Sequence, residues 1–543
     1  VYLSRWILLF LISALMLPVL ALLASWLPSA DLSGQAMAIL GEMASTVLPD
    51  YLSTTLALCL MVALGVALIG ISTAVVVTLF EFPGRRFFEW ALLLPLAMPA
   101  YVVAYAYTDF LQFSGPLQTF LRSALGVEGR VFPEVRNVVG AAWVFTFALY
   151  PYVYLLARTA LGERTVHLME AARLMGAALP RRLREVALPL ARPAVAAGVA
   201  LALMETLADF GVSSYFGIQT FTTGIYKAWL AMDNRIAAAQ LATLLLVLVA
   251  VLLGLERAAQ RRMRFAVTKG ARAGSTDALA IALRGKWVVW AWLLCLLPVL
   301  MGFVFPVLFM FRPLAADGVE LPWARYGEWA FNSVRLGGIT AILAVGVALA
   351  LAFSLRRSRH WAIRFSVQIA GLGYAIPGAV VVVGLLLPVG WLQAWAPQTQ
   401  VAYWVTATSF GIVWAYLVRF CAVALQSLQS GYARLPISLD ESARMLGAGS
   451  ARTLTQVHWP LLRRSVATAA LLVFVDVMKE LPATLVLRPF DSDTLAVVAY
   501  QLARDERLGE AALPCLVLVL AGLIPVMLLS RTLRNRPPAV SKS

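Results

Sequence analysis

A chain of 543 residues that is 61% hydrophobic and only 13% charged, with a mean hydropathy of +0.82, is too apolar for a water-soluble protein of this length. Its net charge of +16 is spread through short basic loops between apolar runs and is not gathered in one patch, which excludes nucleic acid as a partner. The fold class is therefore all-α and polytopic, with the lipid bilayer as solvent.

Apolar runs of about 20 residues, the length a helix needs to cross a bilayer, fall near 6–27, 53–80, 89–112, 138–161, 193–215, 236–256, 287–311, 332–355, 365–389, 404–426, 465–487 and 509–530. The first run is longer than an ordinary signal sequence and lacks a small-x-small cleavage site, so it reads as a retained span. Six of the twelve spans precede a basic middle segment and six follow it. The expected organisation is a first half over 1–256 with its core at about 51–256, a linker over 257–286, and a second half over 287–543 with its core at about 330–530.

The halves repeat each other in detail. In the second and eighth spans GVALIGISTAVVVTLF resembles GVALALAFSLRRS, and in the third and ninth MPAYVVAY around Pro99 resembles IPGAVVVVG around Pro377. Both prolines predict kinked helices that line a pathway. Between the fourth and fifth spans, residues 170–193 read EAARLMGAALPRRLREVALPLARP; between the tenth and eleventh, residues 441–464 read ESARMLGAGSARTLTQVHWPLLRR. Glu170, Gly176 and Pro189 of the first copy match Glu441, Gly447 and Pro460 of the second at an offset of 271, half the chain. Each glutamate near a helix start suits the positive end of the dipole, each glycine suits a left-handed helix end, and each proline is expected to stop a second short helix.

The spans that follow the two copies contain carboxylates. Glu205 and Asp209 lie in LMETLADFGVSSYF, and Asp476, Lys479 and Glu480 in VFVDVMKELPATLVL, again offset by 271. The i, i+4 spacing puts each acidic pair on one helix face. Ionisable groups at this depth point to a pathway or gate, where they could form an acidic ring; the alternative is structural ion pairing with Lys479 and a nearby arginine. Cys59, Cys295, Cys421 and Cys515 all lie in apolar runs and read as packing residues, and His167, His360 and His458 fall in polar loops without forming a metal-ligand cluster.

If both termini share one side, 32 of the 44 Lys and Arg residues lie on that side, which the positive-inside rule makes cytoplasmic. The linker adds a Gly/Ser/Thr centre to eight basic residues and reads as a plain connection.

The pattern Glu170-Ala171-Ala172 to Gly176 and Pro189 resembles the EAA loop of the membrane subunits of bacterial binding-protein-dependent ABC importers. Glu441-Ser442-Ala443 to Gly447 and Pro460 repeats it with a serine for the first alanine. The resemblance implies that these loops dock into clefts on two copies of an ABC ATPase subunit. It also implies a periplasmic substrate-binding protein, location in the bacterial inner membrane, and transport by alternating access. The stretches 205–229 and 476–503 resemble those of fused two-half permeases for ferric iron; permeases for thiamine, phosphonate and polyamine share the architecture. No G-x-x-x-x-G-K-[ST] loop is present, so ATP is expected to be used by a partner subunit, with no cofactor bound and no catalytic residue on this chain. A proton-coupled secondary carrier or an intramembrane enzyme could use the same carboxylates, but both leave the repeated loops unexplained.

Overall fold

The computed structural model describes residues 2–26, 33–163, 165–266, 281–315, 323–357 and 360–534. It is helical almost throughout, as backbone in a bilayer must be when no water is present to satisfy its polar groups. Among the described residues nine helices are long and apolar enough to cross a membrane, and a tenth span results if Arg85–Ala97 and Ala100–Leu125, bent by 89°, count as one. The first and eleventh expected spans are helical as well. One retains the apolar stretch Phe10–Ala24, whereas the other, Trp459–Lys479, includes Arg463, Arg464, Asp476 and Lys479.

The helices form two compact units. The first comprises Val1–Leu48, Gly224–Leu246 and Glu320–Gln501, and the second Pro49–Thr223, Val247–Val319 and Leu502–Ser543. Each unit of packing thus takes segments from both halves of the sequence. In the first, Trp323–Arg357, Ser409–Tyr432 and Trp459–Lys479 form the core, and Gly378–Trp395 lies against Tyr2–Ala24. There the backbones approach so closely that a Cβ on Gly384 would stand 2.3 Å from the Pro18 carbonyl oxygen. From Ser409–Tyr432 the Trp414 indole donates to the Ala14 carbonyl at 2.9 Å, a second attachment of Tyr2–Ala24.

In the second unit Val138–Glu163 packs against Leu188–Ala208, where a Cβ on Gly198 would lie 2.7 Å from Val153 Cα. Phe305–Leu314 packs on Ala100–Leu111 and on Leu508–Arg534; Phe110 and Phe309 stack with centroids 3.8 Å apart. Helix Arg235–Ala266 runs on into the first residues of the linker, where Arg, Ala and Gln side chains favour the helix. At the far end Ile281–Ala282 pairs in parallel with Phe80–Glu81. Residues 267–280 lie outside the described residues.

Candidate functional site

Both copies of the repeated loop have one local design. Helix Thr165–Leu174 ends at Gly176, with φ +83°, and helix Ser438–Met445 ends at Gly447, with φ +76°. The glycine N–H donates to Arg173 O and Arg444 O respectively, each at 2.9 Å. The next residue donates back to Ala172 O at 3.0 Å and to Ala443 O at 2.9 Å. This double bond pattern satisfies carbonyls that a helix end leaves bare, and it requires the left-handed conformation that glycine adopts without strain. Ala172 and Ala443 are each 7% exposed and face their own unit. Before the glycines, Leu174 (85%), Met175 (81%), Met445 (90%) and Leu446 (85%) stand out in the open. Glu170, Ala171, Glu441 and Ser442 are exposed as well. Glu441 lies in the first turn of its helix, but Glu170 does not, because that helix already begins at Thr165.

The prolines do something other than stop a helix. Leu179–Ala208 is one continuous helix whose turn Leu183–Ala187 is π-helical, and Thr453–His458 is the matching π-turn ahead of Trp459–Lys479. Leu188 N–H donates to Leu183 O and Trp459 N–H to Leu454 O, five residues back, immediately before Pro189 and Pro460. In an unbroken α-helix each proline ring would clash with the carbonyl four residues earlier; the widened turn moves that carbonyl aside. The second short helix of each repeated loop is therefore continuous with the span that follows it.

The acidic pairs do not act as faces of unbroken helices. Leu188–Ala208 ends at Asp209 and Trp459–Lys479 ends at Glu480, both in extended backbone, and the short helices Gly211–Tyr215 and Pro482–Leu487 follow. The second acid of each pair turns forward to cap the next helix. Asp209 Oδ2 accepts from the N–H groups of Val212 at 2.9 Å and Ser213 at 3.3 Å. Glu480 accepts from the N–H groups of Ala483 and Thr484, both at 3.0 Å, and from the Thr484 hydroxyl at 2.7 Å. The equivalence ends there. Glu480 is buried and receives Arg419 Nη1 at 2.8 Å, so the arginine that holds it comes from the tenth span. Among the described residues no Lys or Arg forms an ion pair with Asp209 or Glu205, both half-buried. Asp476 and Lys479 are likewise half-buried, in the same unit as Glu480; Glu205 and Asp209 belong to the other.

Pro99 and Pro377 do not kink continuous helices but start new ones. A 3-10 turn, Leu94–Ala97 or Gly373–Ala375, ends in one extended residue, and the proline then caps Ala100–Leu111 or Gly378–Trp395. A residue before proline avoids the α region, which accounts for the break. In the first unit two breaks meet: a Cβ on Gly378 would lie 2.8 Å from Glu480 Oε1, 2.9 Å from Pro482 Cβ and 3.3 Å from Arg419 Nη1. Sequence reasoning did not single out Arg419 as the partner; a lone arginine in the apolar run 404–426 was the available signal. It also placed His458 in a polar loop, whereas His458 is 1% exposed within the π-turn.

Comparison with known proteins gives this geometry a context. Residues 66–265 match the family described as binding-protein-dependent transport system inner membrane component. A protein of Haemophilus influenzae described as Fe(3+)-transport system permease protein FbpB 2 is 24% identical over 486 residues, which cover 89% of this chain and 90% of the relative. The probable ABC transporter permease protein y4fN of Sinorhizobium fredii is 26% identical over 498 residues, 87% of this chain and 85% of the relative. The ferric transport system permease protein FbpB of Actinobacillus pleuropneumoniae is 23% identical over 435 residues, 76% of this chain and 61% of the relative.

Proposed function

The chain belongs to the inner membrane components of binding-protein-dependent transport systems, and on that premise we propose that it carries ferric iron across the bacterial inner membrane. The observation that carries the reading is the pair of repeated loops, each ending in an exposed apolar pair before a left-handed glycine. Exposed apolar surface of this kind marks a contact with another protein, and two such protrusions suit two ABC ATPase subunits, one on each loop. Movement of the second short helix of each loop is handed directly to the span beyond it, because α-helix, π-turn and α-helix are continuous there. ATP is hydrolysed by the partner, and a periplasmic binding protein delivers the cargo, so this chain needs neither nucleotide site nor cofactor. The two termini and both loops then lie in the cytoplasm.

Iron as cargo is supported by the names of relatives similar over most of the chain and by carboxylate oxygens, which a hard cation prefers. Reconstitution with an ABC ATPase and a periplasmic binding protein from the same organism tests the reading through ATP-dependent uptake of ferric iron into proteoliposomes. Uptake of thiamine, a phosphonate or a polyamine in place of iron would overturn the cargo, and failure of any ATPase to co-purify would overturn the importer.

A further inference from the structure

The two repeated loops are attached to their own units by different chemistry. In the second copy, Asp440 stands just before Glu441 and lies at the centre of a partly buried network. Arg356, at the end of helix Trp323–Arg357, donates from Nε to Asp440 Oδ2 at 2.5 Å, and His458 Nε2 meets Asp440 Oδ1 at the same distance. An ionised carboxylate only accepts, so His458 Nε2 carries the proton of that bond. The remaining guanidinium hydrogens of Arg356 go to the carbonyls of Tyr432, Leu435 and Pro436 at 3.0–3.1 Å. The Tyr432 hydroxyl lies 3.4 Å from His458 Nδ1, and Phe353 packs edge-on against the same imidazole. Burial pushes the Asp440 carboxyl upward, but the hydrogen bonds from His458 and Arg356, with the charge of Arg356, outweigh it and hold the acid below its ordinary range.

At the offset of 271 the first copy has none of this. The positions of Asp440, His458 and Tyr432 are taken by Met169, Ala187 and Leu161, all buried and apolar. The counterpart of Arg356 is Arg85, whose guanidinium turns to the Val77 carbonyl and to Glu81 and Glu89. The first loop is seated by apolar packing and the second by a charge network that joins three helices.

We propose that Asp440 is the positioning residue of the second loop, an ionic tether that makes helix Ser438–Met445 move with the end of the eighth span when its ATPase subunit pulls on it. The proposal rests on the importer reading for its consequence but not for the tether itself. The tether sets the geometry of one loop only, so its loss uncouples one side of the transporter.

The test uses the full chain in two measurements. In a Cys59→Ala background, spin labels at Met445→Cys and Leu174→Cys report the mobility of each loop in the purified chain. Asp440→Asn is expected to loosen the label at 445 and to leave the label at 174 unchanged. In proteoliposomes with ATPase and binding protein, the same substitution in the unlabelled chain is expected to lower cargo taken up per ATP hydrolysed by about five-fold or more, the low end of ordinary coupling between sites. An unchanged label at 445 overturns the tether. A loosened label with unchanged uptake per ATP overturns its role in coupling, because a merely stabilising residue alters the amount of protein and not that ratio. Asp440→Glu guards against a folding failure, since it retains the charge and is expected to recover most of the ratio; equal loss in Asn and Glu variants that both insert also overturns the proposal. Absence of uptake by the wild-type assembly would count against the importer reading, and the label would still decide the tether.

Discussion

Arg419 and Glu480 meet at 2.8 Å with the carboxylate side chain 1% exposed, and the same carboxylate caps Pro482–Leu487 through two backbone N–H groups. Removing one partner leaves a buried charge uncompensated, a loss of about 3–5 kcal/mol. Glu480→Gln is therefore expected to lower the melting temperature in detergent, and Arg419→Met is expected to restore most of it. Rescue by Lys479→Met and not by Arg419→Met would show that the wrong cation has been paired.

Asp209 is the contrasting case. Asparagine at this position retains an oxygen that can accept from Val212 and Ser213, so Asp209→Asn is expected to change stability by only about 0.5 kcal/mol. If this acid lines the path of a hard cation, uptake falls strongly at that unchanged stability. Wild-type uptake by an Asp209→Asn variant would remove the carboxylate from the pathway.

Gly176 and Gly447 test the loops. A Cβ on either glycine meets nothing within 4 Å, so substitution acts through the positive φ alone. Left-handed backbone disfavours an ordinary residue by about 1–2 kcal/mol and a β-branched one by more. Valine at both positions is expected to abolish uptake in a protein that still inserts, whereas asparagine, which tolerates this conformation, is expected to retain most of it. Equal uptake by the two double variants would mean that the turn does not matter.

Gly378 tests the meeting of the two helix breaks. Gly378→Ala drives a methyl group against Glu480 Oε1 and is expected to destabilise by about 1–3 kcal/mol. Glu480→Asp shortens the acid by one methylene and removes the contact with Oε1 but not the one with Pro482 Cβ, so it is expected to recover only part of the loss; the first half carries the same combination, Ala100 after its proline and Asp209 as its acid. A melting temperature no higher in the Gly378→Ala, Glu480→Asp double variant than in Gly378→Ala alone would refute this account.

Orientation is testable with reporters. A fusion after Lys542 is expected to be active as a cytoplasmic reporter and one near Gly129 as a periplasmic one. The reverse result would place the repeated loops where no ATPase can reach them.

What the sequence made legible was local or repeated. Spans followed from run length, and the Glu, Gly and Pro spacing followed from two copies that could be laid side by side. Medium-range reasoning went astray where a helix was assumed to continue: the spacing of Glu205 and Asp209 was right, but the break at Asp209 turns the second acid toward the next helix. Pro189 and Pro460 looked like stops because the sequence carries no sign of a π-turn. Arg419 and Asp440 lay beyond reach for another reason. Each partnership joins residues far apart in the chain, 61 positions for Arg419 with Glu480 and 84 for Arg356 with Asp440, and only the tertiary fold selects among the available arginines.

The division of each compact unit between both sequence halves bears on how the protein is made. Were the chain cut in its linker, the piece ending there would lack Glu320–Gln501, and the remaining piece would lack Val1–Leu48 and Gly224–Leu246, so neither would contain all of the first unit. Two such pieces would have to find each other by diffusion in the bilayer before either could bury its helices. Tethering them in a single polypeptide replaces that encounter with an intramolecular one at an effective concentration on the order of millimolar. Fusion of the halves thereby fixes their one-to-one stoichiometry at synthesis and shortens the time for which unpartnered helices face lipid.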